Sequence, residues 1–121
     1  MKNLFALLLL TFILTSCEKW PDFLVPDSDV PKWLKERIAD DVKTIESNPQ
    51  SGLNFAAWIR YSYNDKYFYE YVNLISSAGP KTYNSDGTEF MYTENNYTDY
   101  QSNKYCLTYI WQGPSYIDIY D

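Results

Sequence analysis

"FAAWIRYSYNDKYFYEYVNLI", residues 55–75, decides how this chain folds. Two apolar and aromatic runs, Phe55–Tyr63 and Lys66–Ile75, flank Asn64-Asp65. Asn and Asp tolerate the left-handed backbone that a two-residue turn requires, so the stretch predicts an antiparallel hairpin. Alternation along the second strand places Tyr67, Tyr69 and Tyr71 on one face and Phe68, Val72 and Leu74 on the other. Glu70 shares the second face, a carboxylate among apolar residues. All 13 tyrosines lie beyond Arg60, so the chain beyond the hairpin has the composition of a sheet as well.

Towards the C-terminus, Gly79-Pro80 breaks the pattern. "KTYNSDGTEFMY", residues 81–92, predicts a second hairpin around Ser85-Asp86-Gly87. "TENNYTDYQSN", residues 93–103, is polar and reads as a connection to a last strand from Lys104 to Trp111. "QGPSYIDIYD" then closes the chain with a short edge strand. Cys106 lies in the aromatic and branched run "YCLTYIW", where a free cysteine is expected to be an inert core thiol.

Towards the N-terminus, Leu34, Ile38, Val42 and Ile45 recur at helical spacing, with Asp29 able to cap, Pro31 suited to a first turn, and Asn48-Pro49 ending the run. The charged residues between them, Arg37 and Asp41 included, read as a solvated face. The expectation is an α+β domain over residues 31–121, one N-terminal amphipathic helix packed on a four- to six-stranded antiparallel sheet built of hairpins. Ahead of it, residues 17–30 carry Pro21 and Pro26 and read as an extended tether. Trp20 and Phe23 in that tether suit either a lipid interface or packing against the domain.

Residues 1–16 have the three parts of an export signal: Lys2, an apolar stretch from Leu4 to Leu14, and small residues at its end. The apolar stretch is shorter than the roughly 20 residues of a spanning helix. Leu14-Thr15-Ser16-Cys17 resembles the lipobox of bacterial lipoproteins. That resemblance implies cleavage before Cys17 and a lipid on its sulfur, hence a protein anchored in the bacterial envelope, in the outer membrane on its periplasmic or surface side. Two or three acyl chains hold a protein far more firmly than one, at about 0.8 kcal/mol per buried methylene. With Cys17 lipidated, Cys106 has no disulfide partner in its own chain. The body, with its "PKWLKERI" helix and hairpins, is similar to small envelope lipoproteins of unknown function, a resemblance that brings no catalytic residues with it.

The chain carries a net charge of −6 and only two arginines, Arg37 and Arg60, which argues against nucleic acid as a partner. It has no histidine, which removes the usual general base, the Ser-His and Cys-His pairs, and histidine metal sites. Asn84, Asp86 and Glu89 fit a turn better than a calcium loop. No metal, cofactor or enzymatic activity is therefore expected. The functional expectation is non-catalytic binding of a glycan, peptide or envelope protein on a tyrosine-rich face. Tyr67, Tyr69, Tyr71, Tyr97 and Tyr100 are its candidate residues, with Trp111 the next surface to consider, because flat rings beside amide groups bind at low entropic cost. The alternatives are a structural or accessory subunit of an envelope complex, or a small enzyme inhibitor.

Overall fold

A computed structural model describes residues 20–118. The residues read as an export signal, and Cys17, lie outside the described residues. Among the described residues there are two α-helices and one four-stranded antiparallel sheet, an α+β fold. Its elements are α1 (Lys32–Ser47), β1 (Ala56–Tyr63), β2 (Lys66–Asn73), β3 (Lys81–Tyr83), α2 (Glu94–Asn103) and β4 (Tyr105–Gln112), and the sheet order is β3-β2-β1-β4.

The hairpin forms as its sequence requires. Asn64 and Asp65 take φ of 51° and 60°, and the turn is closed by the pair Tyr63↔Lys66. From there the register runs without a slip to Ala56↔Asn73. Strand parity divides the core into two faces. On one, Ala56, Trp58 and Tyr69 share a buried cluster with Leu34 and Ile38 of α1 and with Ile110 and Trp111 of β4. On the other, Ala57, Ile59, Tyr61 and Val72 are joined by Leu107, Tyr109 and Tyr116, and Phe68 and Tyr63 by Tyr100 of α2.

Several expectations are corrected. "ENNYTDYQSN" is a helix rather than a connection: the Thr93 hydroxyl accepts from the Asn96 N–H, and the Asn96 side chain accepts in return from the Thr93 N–H. The second hairpin shrinks to the three residues of β3 and a single bridge, Tyr83↔Glu89, because its return arm turns away to insert Phe90 and Tyr92 into the cluster around Tyr100. Residues 113–118 form no strand. Cys106 is exposed, not buried: it takes φ of 56° where the β1–β4 register shifts, and the irregularity turns its side chain out of the core. A second shift beside Ile110 lets Ile110 and Trp111 enter the same cluster.

The segment read as a tether is packed over its described part. Val30 is buried, Phe23 and Val25 lie against the α1-side cluster, and the Leu24 N–H donates to the Ile110 carbonyl at 2.9 Å. Of the two placements open to Phe23, the structure shows packing against the domain.

Candidate functional site

The hairpin register sets Trp58 of β1 opposite Tyr71 of β2, and β3 brings Tyr83 beside them. Their rings form a cluster on the α1 side of the sheet, Trp58 lying 5.3 Å from Tyr71 and 5.5 Å from Tyr83, centroid to centroid. Trp58 is wholly buried and forms a floor, while Tyr71 and Tyr83 are half-buried and keep part of their surface open. One turn apart on α1, Arg37 and Asp41 flank the Leu34/Ile38 stripe and reach over the cluster. The Arg37 guanidinium carbon stands 5.9 Å from the Trp58 ring and 5.6 Å from the Tyr83 ring. Asp41 accepts from the Trp58 indole N–H at 3.4 Å. Burial pushes the Asp41 carboxyl above its ordinary range; the Trp58 bond and the Arg37 charge oppose the shift, and Asp40 adds to it.

The chain after β2 closes the third side. The Asn73 amide donates to the Gly52 carbonyl at 3.2 Å and to the Tyr71 hydroxyl at 3.4 Å, and its oxygen accepts the Ile75 N–H. Ser76 accepts the Ala78 N–H, shaping the turn that leads through Gly79 to Lys81 at the mouth. These groups enclose a cleft of about 320 Å³, the lower end of the usual range for small-molecule sites. Among the described residues Arg37 and Lys81 make no ion pair, and Asp41 is the one carboxyl lining the cleft. A wider cleft of about 490 Å³ lies across α1, where Trp20, Val42, Ile45, Trp111 and Pro114 meet. Its charged lining is Asp22 and Glu46, with the Lys35 ammonium 5.8 Å from the ring of Trp20.

The expected tyrosine face is not one surface. Tyr69 (2% exposed) and Tyr100 (0%) are core residues, while Tyr67 and Tyr97 are each 50% exposed and belong to different elements. Tyr67 stacks under Arg60, whose guanidinium carbon is 4.4 Å from its ring, and Tyr97 packs edge-on against Tyr92 at 4.9 Å. Tyr71 alone of the five lines the cleft. Trp111, the next surface considered, is buried.

Glu70 points inward, as its parity predicts, and is 3% exposed. It accepts from the Tyr100 hydroxyl at 2.8 Å and pairs with Lys104 at 2.9 Å, while the Lys104 ammonium also lies 4.1 Å from the Tyr61 ring centre. Burial, followed by the neighbouring Glu70 charge, raises the Tyr100 hydroxyl far above the ordinary tyrosine range. The group is a satisfied ionic core that ties α2 to the sheet. No cluster of three or more metal-ligating side chains occurs among the described residues.

Sequence reasoning missed Arg37, Asp41, Trp58 and Tyr83. Arg37 and Asp41 lie four apart beside the apolar stripe, and that spacing was the available signal. No family model, curated protein or solved structure matches the chain.

Proposed function

We propose that the protein is a lipid-anchored lipoprotein of the bacterial envelope, held in the outer membrane through Cys17, with a non-catalytic role in binding a glycan. Its domain would run over residues 31–121, with α1 as its first helix laid on the sheet and residues 20–30 folded back against it. The observation that carries the binding role is the cleft under α1, where half-open Tyr71 and Tyr83 rings meet a polar rim in a volume of about 320 Å³. The Tyr71 ring, over which no cation sits among the described residues, can take the apolar face of a sugar, with the Arg37-covered Tyr83 beside it, and the rim supplies hydrogen bonds to the hydroxyls. Glu70, the carboxylate of most catalytic appearance in the sequence, is engaged by Lys104 and Tyr100 and so supports binding over catalysis.

Two measurements test this reading. Wild-type protein is expected to label with palmitate and enter the detergent phase, and Cys17→Ser to do neither; equal partitioning of the two removes the anchor. On a panel of envelope and host glycans, Tyr71→Ala is expected to weaken capture by at least tenfold. Unchanged capture removes the cleft.

The alternative, a permanent subunit of an envelope complex, is favoured by one feature. β4 is an outer strand, and it presents Tyr105 and Cys106 to solvent. A solubilised native mass well above that of the single chain would support it.

A further inference from the structure

We infer that the ligand of the α1 cleft is an acidic saccharide, a sugar ring whose carboxylate sits between Arg37 and Lys81. The inference rests on the glycan-binding reading and adds the charge of the ligand.

Three observations carry it. First, the ring faces that would otherwise attract a cation already hold one. Arg37 lies over both Trp58 and Tyr83, so a cationic ligand meets a filled site and a like charge. Second, neither Arg37 nor Lys81, both of which line the cleft, makes an ion pair among the described residues; Asp41 acts on Arg37 only through its charge and is itself held toward its protonated form by burial. A guanidinium held near rings without an ion pair keeps N–H donors for the two-pronged hydrogen bonding a carboxylate accepts, and Lys81 adds a mobile point charge. In a chain of net charge −6, two cations without ion pairs lining one cleft that holds a single carboxyl form a local reversal of sign. Third, the rim favours a hydroxylated ring over an aromatic acid. Trp58 is too deeply buried to stack on a ligand, and the open surface is that of tyrosines beside Asp41, Ser76 and the backbone around Gly79. The open backbone is unobstructed there, since a Cβ at Gly79 would meet nothing within 4 Å.

The probes are a galacturonic acid trimer, the neutral galactose trimer and benzoate, measured by calorimetry at low salt against the protein from residue 17 onward and its Arg37→Gln, Arg37→Lys and Lys81→Gln variants. Both positions are exposed, so the variants are expected to fold, which their melting curves check. The expected result is that the uronate trimer binds at least tenfold more tightly than the neutral one. Arg37→Gln should abolish that preference, Arg37→Lys keep part of it, and Lys81→Gln reduce it severalfold. Equal binding of the two trimers overturns the acidic ligand while leaving a glycan cleft in place. Benzoate binding as tightly as the uronate overturns the saccharide, as does an Arg37→Gln variant that keeps the full preference. Absence of binding by all three probes overturns both the inference and the reading beneath it.

Discussion

Burial takes water away from the Asp41 carboxylate, and that cost exceeds what the Trp58 N–H and the Arg37 charge return, so its proton is held more firmly folded than unfolded. A carboxyl whose folded pKa is raised contributes stability fully present below its unfolded pKa and lost as pH rises through the folded one. Asp41→Asn keeps an oxygen for the Trp58 N–H and removes the titration. The variant should therefore gain melting temperature relative to wild type at pH 7 and show no such gain at pH 3; parallel melting curves across that range would contradict the assignment. The same residue shows why the site was hard to read. Arg37 and Asp41 look like ordinary surface charges of an amphipathic helix, and only the fold of β1–β3 beneath them turns their side of α1 into a wall. Tyr69 and Tyr71 illustrate the opposite error. Their alternation with Phe68 and Val72 is legible as two faces, but which face a helix covers depends on contacts with α1 more than twenty positions away.

At the level of elements, what the sequence made legible is local turn chemistry, and what it hid is long-range; the cap expected for α1 is not made, since Pro31 stands at its N-cap with no side-chain bond and Asp29 ends a 3-10 turn instead. The Asn64-Asp65 turn needs only its own two residues to take positive φ, and its strands follow. The Thr93/Asn96 capping pair went unread, because α2 is polar except where Tyr100 enters the core and no apolar stripe marked the stretch as a helix. The bulge at Cys106 has no signature in "YCLTYIW", and a one-residue slip reverses which side chains face inward. The turn after β3 provides a direct test of turn chemistry. Gly87 sits at φ of 93°, and a Cβ there would lie 3.0 Å from the Trp33 ring, which is itself fixed by an indole N–H bond to the Ser85 carbonyl. Gly52 has ordinary backbone, and its Cβ would meet only the flexible end of Ile75 at 3.2 Å. Gly87→Val is therefore expected to cost about 1–3 kcal/mol, from backbone strain alone, and clearly more than Gly52→Val. Thermal melts of the two variants decide it, and equal melting points would mean that Trp33 and the turn do not constrain each other.

For the whole molecule, the boundary of the domain matters more than any one side chain. A sequence with Pro21 and Pro26 reads as a tether because proline forbids a helix, yet extended chain is also what lies flat along the outside of a sheet. Residues 23–30 pack against the sheet in this way at their start and then bend into a 3-10 turn at Asp27–Asp29: Val30 is buried at the start of α1, Phe23 and Val25 cover the cluster containing Trp58 and Trp111, and Leu24 bonds to β4. Burying one such side chain contributes roughly 1.5–3 kcal/mol, and a small domain has only about 5–15 kcal/mol in total. A protein beginning at Trp20 should consequently melt as the chain from Cys17 does, whereas one beginning at Pro31 should lose about 3 kcal/mol or more. For a domain of this size that loss lowers the melting temperature by at least about 12 °C. Circular dichroism melts of the three proteins make the comparison. A fragment from Pro31 that melts with the others would return residues 20–30 to the role of a free spacer. If it melts early, then in the proposed lipoprotein the packed part of the chain begins within three residues of Cys17, a separation that cannot exceed about 11 Å. The domain would then lie against the lipid surface rather than stand off from it, and the ligand would have to approach the α1 cleft alongside the membrane.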